Sequence, residues 1–190
     1  MKKSLLLIAL LFIVGLAYSQ ESKPETVLSA PDTWGPEIFS FPLDFAPSIN
    51  YQGFEDIRFA PGWSDTTAND YFTYTFVWYL DNDPKITTNK LTDHVKAYFG
   101  GLMTAVSERD DLPAVTASFA KQANGTYTGS VNTYDAFFKK KALALNIITE
   151  TSHCIKSGKY VVWFKLSPKD LKAPLWKTFE AVKLKVDCDK

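Results

Sequence analysis

The chain has 190 residues, with 21 basic against 21 acidic side chains, 46% hydrophobic and 15% aromatic content. Apolar content at the globular norm excludes a disordered chain, and 9 Gly with 10 Pro exclude a collagen-like one. The missing basic excess excludes nucleic acid as a partner held by charge, and the length suits one domain with at most a small appendage.

The N-terminus carries the most specific pattern. Lys2 and Lys3 form a short positive start, and 13 almost unbroken apolar residues follow over 5–17. Ala17-Tyr18-Ser19 puts small residues at the two positions a signal peptidase reads, which predicts a signal peptide over 1–19 cleaved before Gln20. Thirteen helical residues span roughly 20 Å, short of the ~30 Å hydrocarbon core, which argues against an uncleaved anchor. The apolar run is not followed by Cys, which argues against a lipoprotein. The expected mature chain has no transmembrane segment and is periplasmic or extracellular. Without residues 1–19 it keeps 19 basic and 21 acidic side chains, a formal net charge of −2 over 171 residues. Only Arg58 and Arg109 are arginines, which argues against bidentate recognition of phosphate or carboxylate.

Residues 20–36 are polar, hold three prolines and show no periodicity, as expected of an extended leader; a single α+β domain is expected over 37–190. Residues 37–45 alternate, with Phe39, Phe41, Leu43 and Phe45 on one face, and Pro42 assigns that strand to a sheet edge or a bulge. Turn formers crowd 46–69, around a short strand over 55–59. Residues 71–80 (YFTYTFVWYL) form the clearest strand; both its faces suit burial, which makes it central. A helix is predicted over 88–106, capped by Thr88, with Leu91, Val95, Tyr98, Leu102, Ala105 and Val106 in one stripe. Gly100-Gly101 inside it implies a close helix-to-sheet approach or an early helix end. Strands over 115–122 and 126–134 flank Asn124-Gly125, a strong hairpin signal, and a second hairpin joins 142–152 to 160–166. Ser167-Pro168 or Ala173-Pro174 opens a C-terminal helix carrying Leu175, Trp176, Phe179 and Val182. Residues 182–186 alternate and could instead form a last strand.

This order predicts an α+β fold: an antiparallel sheet of about 6–7 strands, with one long central helix and a C-terminal helix packed against it. A helix followed by a four-stranded meander is similar in order to cystatin-like domains, and the added C-terminal helix to photosystem-P-subunit-like sandwiches. Likeness of order carries no function.

Cys154 and Cys188, an even pair in an exported chain, predict one disulfide across about 34 residues, stabilising by roughly 3–4 kcal/mol. The sharper alternative makes Cys154 a thiol nucleophile. Neighbouring His153 would point to the opposite face of a strand, and nothing places His94 nearby. Two His and two Cys without close-spaced pairs do not make a zinc site, and no metal or cofactor is expected.

The segment 53–63 (GFEDIRFAPGW) is the best candidate for a functional surface, with Glu55, Asp56 and Arg58 set between aromatics and turn residues. Desolvation between Phe54 and Phe59 could raise Glu55 or Asp56 into general-acid range, and Asp81, Asp83, Asp44 or Glu37 could supply a second carboxylate. Five Trp and nine Tyr could stack on sugar rings or other apolar-faced ligands beside a hairpin face of Thr116, Ser118, Thr126, Thr128, Ser130, Asn132 and Tyr134. Motifs for phosphate loops, nucleophile elbows, zinc proteases and calcium loops are missing. The leading expectation is an exported, non-catalytic domain that binds an unidentified ligand or envelope component, a glycan being one option. Its binding residues would be Arg58, Trp63, Trp78, Tyr134 and Trp163. The alternatives are a hydrolase using Glu55 and Asp56, and a carrier of an apolar ligand held between helix and sheet around Trp78, Tyr98 and Phe99.

Overall fold

The computed structural model describes residues 26–188, so the expected signal peptide over 1–19, the expected cleavage before Gln20 and the start of the expected leader lie outside the described residues. The chain opens with the strands β1 (Leu28–Ser29), β2 (Gly35–Ser40), β3 (Gly53–Phe59) and β4 (Tyr74–Leu80). The helix α1 (Thr88–Ser107) follows, then β5 (Thr116–Lys121), β6 (Tyr127–Tyr134), β7 (Ala142–Cys154) and β8 (Lys159–Ser167). A 3₁₀ helix (Pro174–Ala181) and β9 (Lys183–Leu184) close the chain. Seven strands form one antiparallel sheet in the order β2-β3-β4-β8-β7-β6-β5, and β1 pairs with β9 in a two-stranded ribbon. The fold is α+β, as expected.

All seven residues of β4 are buried, because the sheet is covered on both sides where β4 runs through it. Tyr74, Phe76, Trp78 and Leu80 meet α1 in the main core, while Val77 and Tyr79 meet the terminal segments in a second one. After β4, α1 carries the chain across the sheet to its far edge. The meander β5 to β8 then returns until β8 pairs with β4. Asn124-Gly125 turns the first hairpin as expected, Gly125 taking φ 86°.

Several boundaries differ from expectation for local reasons. The strand expected over 37–45 is an edge strand that ends at Ser40. The chain then turns through Leu43, Ala46 and Ile49, with Ala46 N donating to Leu43 O and Ile49 N to Ala46 O, both at 2.9 Å. Thr87 rather than Thr88 caps α1, accepting from Lys90 N at 3.2 Å. The helix runs on through Gly100-Gly101. The close approach is to a loop rather than to the sheet, since a Cβ on Gly101 would stand 1.6 Å from Phe45 O. The C-terminal segment is both of its alternatives in turn, 3₁₀ helix and then a two-residue strand. From Thr26 onward the stretch read as a leader is woven into the fold: Val27, Leu28 and Trp34 are buried against Phe179 and Val182. Burying those three side chains is worth several kcal/mol, on the order of 1.5–3 each, which a polar, proline-interrupted pattern conceals.

Cys154 and Cys188 form the expected disulfide, tying the end of β7 to the residues just after β9. The bond suggests a non-reducing compartment. Among the described residues, no helix is long and apolar enough to cross a membrane.

Candidate functional site

The apolar stripe of α1 is longer than the sheet cover above it. Tyr98 is buried and stacks on Phe76 of β4 at 5.3 Å, but Leu102, one turn on, is half-buried, and Val106 is exposed. Between these last two turns and the β2-β3-β4 end of the sheet lies a cavity of about 210 Å³. Glu37 and Phe39 of β2 line it, together with Ile57 and Phe59 of β3 and Tyr74 of β4. The register explains this grouping: Glu37 pairs with Ile57, and Phe59 with Tyr74, so all of them point to the helix face. Loops close the remaining sides with Phe45, Trp63, Phe72 and Phe137, making eight of the twelve wall residues aromatic.

The loop walls are held in place by specific contacts. Trp63 packs on Phe59 at 4.4 Å and edge-on against Phe138 at 4.9 Å, and its buried Nε1 has no hydrogen-bond partner among the described residues. Phe45 meets Tyr98 edge-to-face at 5.1 Å. Phe137 is positioned by buried Asp135, which accepts from the backbone amides of Phe137, Phe138 and Lys139 at 3.1, 2.9 and 2.8 Å and from the Tyr71 hydroxyl. Four donors on one carboxylate compensate its burial, and they lock the turn that carries the wall.

Behind the cavity, Glu55 is fully buried on the helix face of β3. Its Oε2 accepts from Trp78 Nε1 at 2.6 Å and its Oε1 from the Tyr98 hydroxyl at 2.9 Å. Desolvation pushes the Glu55 carboxyl up to about 8, the two hydrogen bonds opposing this and the nearby Glu37 adding to it. Burial, and then the Glu55 charge, hold the Tyr98 and Tyr74 hydroxyls well above their ordinary value. Glu37 itself is exposed overall, and partial burial raises its carboxyl. His94 is half-buried and bonded to the Tyr51 hydroxyl at 2.8 Å; burial, followed by Lys90, lowers its pKa.

Asp56, one residue further along β3, faces the other side of the sheet. Its Oδ2 accepts from Thr26 Oγ1 at 2.7 Å, Val27 N at 2.8 Å and Leu28 N at 2.9 Å, and its Oδ1 is paired with Arg58. Arg58 in turn donates to Thr26 Oγ1 at 2.6 Å and to Leu28 O at 2.9 Å. This pair anchors the N-terminal segment to the sheet.

The sequence candidates therefore scatter. Trp63 lines the cavity, Trp78 lies behind it in the core, and Arg58 belongs to the anchor on the opposite face. Trp163 is half-buried on that opposite face, donating to Thr75 Oγ1 at 2.7 Å with Lys165 over its ring. Tyr134 sits away from the cavity on β6 and donates to Lys140 O at 2.6 Å. Glu55 and Asp56 do not converge, because adjacent strand residues point to opposite faces. Phe39, Phe45, Ile57, Phe72, Tyr74 and Phe137 line the wall without being site candidates in the sequence. Their one legible signal is the Tyr98-Leu102-Val106 spacing on α1, a helical row that needs apolar neighbours.

Fold and site together define an α+β domain with a small aromatic cavity between its helix and one end of its sheet. No family model, curated protein or solved structure matches the chain.

Proposed function

We propose that this protein is an exported, non-catalytic binding domain of the periplasm or extracellular space that takes a small ligand with an apolar, ring-sized face into the aromatic cavity. The observation that carries this reading is the cavity itself, whose wall is two-thirds aromatic and includes Phe59 and Trp63 from the segment 53–63. Its volume is below the roughly 300–1,000 Å³ of pockets for drug-sized molecules, so one ring or a short alkyl body fits it. The wall has few polar groups, and each hydroxyl of a buried sugar would need a partner, which disfavours a glycan. The separation of Glu55 and Asp56 onto opposite faces supports a binding role over hydrolysis, since an acid and a base must converge on one substrate. Export is supported by the N-terminal pattern of residues 1–19 and by the Cys154–Cys188 bond.

The test is titration of the mature protein with toluene, followed by NMR of the Ile57 and Leu102 methyl groups. Saturable shifts are expected for the wild type and their loss in Leu102→Trp, where the larger side chain fills the cavity. An unresponsive wild type, or equal binding by the filled variant, would overturn the reading. N-terminal sequencing of exported protein should begin at Gln20.

A further inference from the structure

The wall of the cavity contains one residue that carries charge at neutral pH outside the aromatic ring system, and it is negative. Glu37 lies on edge strand β2 beside Ile57, on the face that lines the cavity. None of the twelve wall residues is Lys, Arg or His. An anionic ligand would meet this carboxylate without a counter-charge, and a neutral one would further desolvate it. A cation would pair with it and would also meet a wall that is two-thirds aromatic, where a ring attracts a cation lying over its face. The same chemistry recurs elsewhere in the molecule, where lysine ammonium groups lie over aromatic rings: Lys139 over Tyr71 at 3.9 Å, Lys165 over Trp163 at 4.4 Å and Lys121 over Tyr127 at 5.6 Å.

The number of acceptors narrows the class of cation. A primary ammonium brings three N–H donors that each need an acceptor. The wall's acceptors are the Glu37 carboxylate and the hydroxyl oxygens of Tyr74 and Tyr98, the latter hydroxyl already donating to Glu55, while the phenyl, indole and aliphatic side chains that make up the rest of the wall offer no acceptor. A fully methylated ammonium brings no N–H donor of its own and matches a wall that is mostly carbon.

Resting on the cavity reading above, we propose that the ligand is a small quaternary ammonium compound, its methylated nitrogen between the aromatic wall and Glu37 and its apolar body toward Leu102. A bound cation would offset by its charge the partial desolvation that raises the Glu37 carboxyl.

The experiment compares two isosteres, phenyltrimethylammonium and tert-butylbenzene, by calorimetric titration of the full mature chain at pH 7 and low salt. The ammonium is expected to bind at least about tenfold more tightly than the hydrocarbon. Glu37→Gln, a change at an exposed position whose folding is checked by thermal melting, is expected to remove most of that preference by weakening phenyltrimethylammonium binding. Equal or tighter binding of tert-butylbenzene, or a preference that survives Glu37→Gln, overturns the ammonium assignment while the apolar cavity reading stands. Failure of both compounds to bind the wild type overturns the two together.

Discussion

On the helix side of the sheet, Glu55 is buried with two neutral donors and no cation; on the far side, one residue along, Asp56 is buried with a guanidinium and three further donors. Both carboxyls are fully buried. The first meets burial by holding its proton, since its pKa is raised to about 8, whereas the second is compensated by charge and hydrogen bonds. The pair teaches that partners, more than burial or sequence position, decide what a carboxyl does. Asp56 works as a structural anchor for the N-terminal segment. Glu55 is a neutral acceptor at ordinary pH that orients Trp78 and Tyr98 behind the cavity.

The contrast is broken most severely by Arg58→Ala, which leaves Asp56 buried without its cation and is expected to cost about 3–5 kcal/mol in denaturant unfolding. Amide exchange at Val27 and Leu28 should rise with it, because both amides donate to Asp56. A loss below about 1 kcal/mol would mean that the anchor is not what holds β1. Next comes the other tie on the same layer. Replacing both Cys154 and Cys188 by Ser is expected to cost about 3–4 kcal/mol for a closed loop of this length. Protection of the β1–β9 pairing should fall more than that of β4, and denaturant melts with site-resolved exchange would show it.

Glu55 gives the more diagnostic effect, spread over the pH range rather than read in one melt. Below its ordinary value of 4.5, folded and unfolded chains are both protonated, and its contribution to stability is fully present. As pH rises, the unfolded carboxyl ionises first. Stability is then lost at up to about 1.4 kcal/mol per pH unit until the folded carboxyl also ionises near 8. Glu55→Gln should flatten this decline, read as the difference between wild-type and variant stability from pH 5 to 8. A parallel pair of curves would show that Glu55 is ionised in the native state. The smallest effect is expected on the open half of the far face, where Glu150 pairs with Lys165. Glu150→Gln should change stability by less than about 1 kcal/mol, the usual range for a partly exposed pair.

Much of the fold was legible because it rests on periodicity. The central strand, expected over 71–80 and observed over Tyr74–Leu80, the helix with its Leu91-to-Val106 stripe, the Asn124-Gly125 hairpin and the Cys154–Cys188 bond all follow from local rules. The N-terminal segment was not legible. Val27 and Leu28 are adjacent and Trp34 lies beyond Pro31, which shows no period, and their burial depends on an anchor about 30 residues away. The site was legible only in part. Residues 53–63 do supply Phe59 and Trp63 to the cavity, but three of the five aromatic or basic candidates for binding, Arg58, Tyr134 and Trp163, point elsewhere. Glu37, noted only as one of several possible second carboxylates, turned out to be the charged residue on the cavity wall.

The sequence by itself determined the central strand, the helix and the meander after it, their order, the disulfide and the richness in aromatics, because each depends on neighbours within a few residues or on a pair with no competitor. Only the tertiary structure decided which aromatics meet. Phe39, Phe45, Phe59, Trp63 and Phe137 come from β2, β3 and three loops, and no local pattern relates them. They converge because the strand register places β2 beside β3 and because Gly101 lets α1 approach the Phe45 loop closely enough to leave a ring-sized space at its last turn.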